Sequence, residues 1–220
     1  MLSQIVATVL LLSIPLQSSP PERQVDHNAV TSLHDPAVKI RLPNSAVYVG
    51  ADRWVLYDIA DCELHSFVEG DSSKNVQRLY WIQFEQYIPT RPEVHHTYDS
   101  PRHTTLGGMD FYVDTWVRAK TEPSQAGSDR EHIVALIQAK GFQMPESMMY
   151  VRLVHLLDEQ KRKELMIIYG EVLPGNFTAP DLKPDGAKHD QWPALEKGLL
   201  ERAKKNVVVE PLRQGAGTTQ

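Results

Sequence analysis

Hydrophobic and polar positions alternate from Ser45 to Gly70, in SAVYVGADRWVLYDIADCELHSFVEG, and again in NVQRLYWIQFEQYI and MDFYVDTWVRA. A period of two, rich in Val, Tyr, Trp and Phe, predicts β-strands with two distinct faces. Two or three strands are expected in the first stretch, interrupted at Gly50-Ala51-Asp52 and Ala60-Asp61, and one in each of the others. The period then changes. Ser128 and Glu131 have capping-box spacing ahead of Ile133, Val134, Leu136 and Ile137, with Gly141 placed as a stop, so a helix is predicted over 129–140. MMYVRLVHLLDEQKRKELMIIYGEV reads as two strands about a polar tip. After a long connection over 174–190, Trp192-Pro193 opens a second helix to about Lys205. This order predicts an α+β domain: a single curved antiparallel sheet of about six strands with two helices packed on one face.

The ends of the chain divide differently. Residues 1–19 read as a signal peptide, because the largely apolar stretch from Ile5 to Leu16 would cover only about 18 Å as a helix, short of the roughly 30 Å hydrocarbon core. No Lys or Arg precedes that stretch. Residues 20–44 form a polar arm punctuated by Pro20, Pro21, Pro36 and Pro43; residues 45–210 are the single α+β domain, and 211–220 a disordered tail. An exported, periplasmic or secreted protein is expected, with no stable membrane insertion after cleavage.

Composition narrows the function classes. A chain of 220 residues with 41% hydrophobic content supports one sizeable core. The net charge of −5 is spread through mixed-sign segments, without the basic stripe of a nucleic-acid binder. The longest basic cluster, Lys161-Arg162-Lys163, reads as a solvated hairpin tip. Cys62 is the only cysteine, which excludes an intramolecular disulfide and any site with two thiolates; it reads as a small buried hydrophobe. Asn176-Phe177-Thr178 is a sequon, usable only in a eukaryotic secretory pathway. No phosphate loop, serine elbow or HExxH motif is present, and the sequence leaves any cofactor unknown.

Two groups of residues are candidates for chemistry. EVHHTYDSPRHTTLGG, residues 93–108, holds His95, His96 and His103. Adjacent His95 and His96 point to opposite sides of an extended chain, so at most one joins His103, with Asp99 as an oxygen ligand. Thr97, Asp99, Ser100 and Pro101 are turn formers, and a surface loop is the preferred reading over a metal site or acid-base work, with a lid as a further role for a loop of this length and no metal ligands assigned. The second group follows from period-two counting: Glu63, His65, Phe67 and Glu69 share one strand face, Trp81, Gln83, Glu85 and Tyr87 another, and Tyr112, Asp114, Trp116 and Arg118 a third. If these faces join, with Arg152 or His155 added, they form an aromatic and polar surface of the kind small-molecule pockets use. The opposite faces, Cys62-Leu64-Ser66-Val68, Tyr80-Ile82-Phe84 and Phe111-Val113-Thr115-Val117, are expected to pack on the helices.

The function expected is binding of a small or apolar ligand by Glu63, His65, Trp81, Gln83, Glu85, Tyr112, Asp114 and Trp116. One alternative is an enzyme with a histidine and carboxylate acid-base site near the 93–108 loop, using His96 or His103 beside Glu63, Glu85 or Asp114. Another is a protein-interaction module. The sequence does not decide between binding and catalysis, nor give the oligomeric state.

Overall fold

The structure, a computed structural model, describes residues 19–212. The expected signal peptide, but for its last residue, and the tail beyond residue 212 lie outside it. In chain order the elements are β1 (Gln24–Asp26), β2 (Ala29–Ser32), β3 (Val38–Arg41), β4 (Val47–Leu56), β5 (Ala60–Gly70), β6 (Val76–Tyr87), β7 (His103–Leu106), β8 (Met109–Ala119), α1 (Asp129–Ala139), β9 (Ser147–Leu156), β10 (Lys163–Val172), α2 (Ala179–Leu182), α3 (Trp192–Asn206) and β11 (Val208–Pro211).

The α+β class stands, but the single six-stranded sheet does not. A seven-stranded sheet in the order β4-β5-β6-β10-β9-β8-β7 is accompanied by a four-stranded sheet in the order β1-β2-β3-β11. The segment read as a polar arm supplies three of those four strands: Val30, Val38 and Ile40 are fully buried, and their short alternation was too brief to stand out among the prolines.

Nor do the helices share one face. Ile133 and Ile137 of α1 pack with Leu64, Val68, Leu79 and Met148 on one side of the large sheet. Leu199 and Ala203 of α3, Ala179 and Leu182 of α2, and the small sheet pack on the other, against Phe67, Tyr80, Phe111, Val151 and Tyr169. The large sheet is therefore a middle layer, covered on both sides. In its central strands both faces are buried, so the alternation that separates core from solvent is lost: Glu63 and His65 are as inaccessible as Leu64 and Phe67.

The helix over 129–140 and the hairpin about the polar tip form as expected. The capping box does not. Ser128 is the N-cap residue, but its hydroxyl makes no capping bond; Glu131 instead accepts a hydrogen bond from Gly127 N at 2.8 Å. Helix α1 lies over β4 and β5. Its seat is set partly by Gly50 at a bulge in β4, where φ is +142° and a Cβ would come within 3.1 Å of Leu136 Cδ2.

Candidate functional site

Strand register decides which side chains meet on the α1 side of the sheet, since directly opposed residues share a face. One row runs Cys62, Glu85, Glu164 and Leu156; the next runs Leu64, Gln83, Met166, Val154 and Tyr112; a third runs Ser66, Trp81, Ile168, Arg152 and Asp114. Because α1 lies mainly over β4 and β5, much of the rows from β6 to β8 is left for other cover. The chain between β6 and β7 crosses back over the first row, held by Arg162, which donates to the carbonyls of Val94, Pro92, Arg91, Ile88 and Tyr87.

Beside that crossing lies a cavity of about 310 Å³. Its apolar wall is Trp81, Ile168, Met166 and the stacked pair Trp116 and Tyr150, whose ring centroids are 5.3 Å apart at 15°. Its polar wall is Arg118, Arg130 and Arg152 with Ser128 and Asp129 at the start of α1. Arg152 is held by Asp114 at 2.7 Å. Arg118 and Arg130, among the described residues, have no carboxylate within ion-pair distance; Arg118 donates to the carbonyls of Glu122 and Pro123. Ser128 Oγ, Asp129 Oδ1 and Arg118 Nε are buried with no partner. Unsatisfied buried polar atoms are costly.

At the other end of the same face, Glu85 and Glu164 stand directly opposite one another on β6 and β10, with His96 brought against them by the crossing chain. Glu164 is 2% exposed and His96 5%. Tyr98 donates to Glu164 Oε2 at 2.6 Å, and His96 Nδ1 lies 3.1 Å from that oxygen. Gln83 Nε2 and Cys62 Sγ both donate to Glu85 Oε2, at 3.2 and 3.4 Å. Trp81 Nε1 donates to Gln83 Oε1 at 2.8 Å, so the hydrogen-bond chain runs from the cavity wall to the carboxylates. Burial raises both carboxyls above the ordinary range; the charge of Glu85 adds to this at Glu164, and that of Asp129 at Glu85. Burial lowers His96 to about 4, so its ring is neutral at pH 7.

The expected site residues separate into two groups. Trp81, Gln83, Glu85, Tyr112, Asp114 and Trp116 share the α1 side: Trp81 and Trp116 line the cavity, Gln83 links it to Glu85, Asp114 holds Arg152, and Tyr112 packs between Tyr98 and His103. Glu63 and His65 are not with them. Their partners across the strand are Phe84 and Ile82, on the opposite face, and Glu63 accepts from Glu22 N, Arg23 N and Arg23 Nη1 while meeting His65 Nε2 at 2.8 Å. They anchor the amino-terminal strand segment. His155 also faces that side, bound to Asp110 O.

The histidines do not converge. His96 is buried in the carboxylate cluster, His95 is exposed, and His103 lies in β7, paired with Asp110 at 2.8 Å. Residues that sequence reasoning missed are Glu164, Tyr98, Asp129 and Arg130. Glu164 is the second residue of β10, directly after the basic tip Lys161-Arg162-Lys163, where it reads as part of the tip; only the register with β6 shows its role.

Among the described residues, no helix is long and apolar enough to cross a membrane. Comparison with protein-family models, curated proteins and solved structures finds no match to this chain, and the functional reading rests on the site itself.

Proposed function

We propose that the protein is an exported binding protein for a small amphipathic anion, with its apolar body against Trp81, Trp116 and Tyr150 and its acid group at Arg118 and Arg130. The observation that carries this reading is the pairing of a stacked aromatic wall with two guanidinium groups that, among the described residues, have no carboxylate within ion-pair distance. Aromatic walls with a few convergent polar groups suit a ligand pocket, and arginine forks suit a carboxylate, sulfonate or phosphate. The volume of about 310 Å³ fits a compact molecule. Export remains part of the proposal through the apolar leader, and the mature amino terminus, read by mass spectrometry of protein from its own host, tests it.

The binding reading is tested by calorimetric titration with 8-anilinonaphthalene-1-sulfonate, an aromatic anion. Trp116→Ala and Arg130→Gln should each weaken binding at least about fivefold, on the order of 1 kcal/mol. Undiminished binding in both variants refutes the assignment. A second reading, acid-base catalysis, is favoured by the convergence of His96 with Glu85 and Glu164. It requires that Glu164→Gln retain substrate binding and lose turnover.

A further inference from the structure

Glu85, His96 and Glu164 each offer a ligand atom, and these atoms lie within 4.8 Å of one another. We infer that these three side chains form a binding site for one divalent first-row transition ion, of the class of Zn²⁺, Mn²⁺ or Co²⁺. The inference is independent of the anion pocket, which involves other residues.

Three features of the geometry carry it. First, two carboxylates stand face to face on adjacent central strands, near the hairpin-tip end, and no Lys or Arg comes within ion-pair distance of either among the described residues. Arg152, whose charge acts on Glu164, is held by Asp114. A dication supplies the missing positive charge.

Second, the imidazole is left incomplete in either tautomer. If Nδ1 carries the proton and donates to Glu164, the lone pair of Nε2 is buried with no donor, since Nε2 has no partner. If Nε2 carries it, that N–H is buried without an acceptor, and the Nδ1 lone pair is set 3.1 Å from a carboxylate oxygen. A cation between ring and carboxylate takes up the Nδ1 lone pair and removes its opposition to the carboxylate oxygen, in the tautomer that keeps the proton on Nε2.

Third, the carboxylates are already oriented. Both donors to Glu85 use Oε2, and Tyr98 donates to Glu164 Oε2. Neutral donors that hold a ligand carboxylate are a usual part of the outer shell of a metal site. Small side-chain movements bring ligand atoms from this spacing to about 3.4 Å, the edge of a tetrahedron with bonds of about 2.1 Å.

The donor set selects the ion. Two oxygens and one imidazole nitrogen suit Zn²⁺, Mn²⁺, Fe²⁺ or Co²⁺ better than Ca²⁺, which takes six to eight oxygens. Three protein ligands leave a position for water or an incoming group.

The test is titration of untagged, chelator-treated full-length protein with Co²⁺, followed by visible absorption, and with Zn²⁺, followed by calorimetry. One saturable equivalent is expected, weakened at least about tenfold by Glu85→Gln and by Glu164→Gln and unchanged by His103→Ala. Both Gln variants are close in shape to the native residue, and near-ultraviolet circular dichroism verifies their fold. Absence of a saturable equivalent overturns the inference and leaves a shared proton as the bond between His96 and Glu164. Equal binding by folded Gln variants, or loss of binding in His103→Ala, also overturns it. Failure of the anion titration with metal binding intact removes the pocket proposal alone.

Discussion

Glu85 on β6 and Glu164 on β10 oppose each other directly across two adjacent central strands, with no cation of the described chain between them. Like charges in that relationship repel, and burial raises the cost of ionising either. In chelator-treated protein at pH 8, Glu85→Gln or Glu164→Gln should therefore stabilise the fold by on the order of 1 kcal/mol or more. Urea unfolding measures this; destabilisation by both substitutions would show that the pair is a net stabilising contact.

Glu63 should behave in the opposite way. Although burial alone acts to raise its pKa, hydrogen bonds from His65, from Glu22 N and Arg23 N, and from the Arg23 guanidinium hold it down at about 2. A depressed carboxylate gives stability that is present above the ordinary value of 4.5 and is lost as pH falls through 4.5 towards 2. The expected contribution is on the order of 3 kcal/mol, from about 1.4 kcal/mol per pH unit. Urea unfolding across pH 2 to 6 should show this slope, and Glu63→Gln should flatten it while lowering stability at pH 7.

The turn between β7 and β8 gives a steric prediction. Gly107 and Gly108 both have positive φ, at +59° and +81°, but a Cβ on Gly107 would lie 2.1 Å from the carbonyl oxygen of Val209, whereas one on Gly108 meets nothing within 4 Å. Gly108→Ala should cost about 1 kcal/mol, the backbone strain alone. Gly107→Ala should cost more by at least about 2 kcal/mol, because the turn must move away from β11. Similar thermal midpoints for the two variants would contradict this packing.

Helix α1 carries Asp129 and Arg130 to the wall of the proposed anion pocket and is seated by Ile133 and Ile137. Ile137→Ala should destabilise the protein by about 2 to 5 kcal/mol. It should also weaken anion binding, since the pocket's polar wall rides on that helix. Binding unchanged in a destabilised variant would separate the helix from the pocket.

How much of this was legible in sequence depends on what period-two counting can see. It grouped Trp81 with Gln83 and Glu85, and Tyr112 with Asp114 and Trp116, because each group lies on one strand. It could not decide which face of one strand joins which face of the next. That choice depends on register, and the wrong one placed Glu63 and His65 with the aromatic surface when Cys62, Leu64 and Ser66 belong there. The small sheet went unseen because strands of three or four residues carry too few alternations to register. Glu164 and His96, 68 positions apart in the chain, meet only through a crossing held by Arg162, and no local spacing encodes that meeting.

The measurement that bears most directly on the anion pocket compares one ligand skeleton with and without its charge: calorimetric titration of the wild-type protein with 2-naphthoate and with its methyl ester. Binding of the carboxylate at least about tenfold tighter than the ester, with the difference removed by Arg130→Gln, is the predicted result. Equal affinity for acid and ester would contradict the account, leaving an apolar cavity without a role for its arginines.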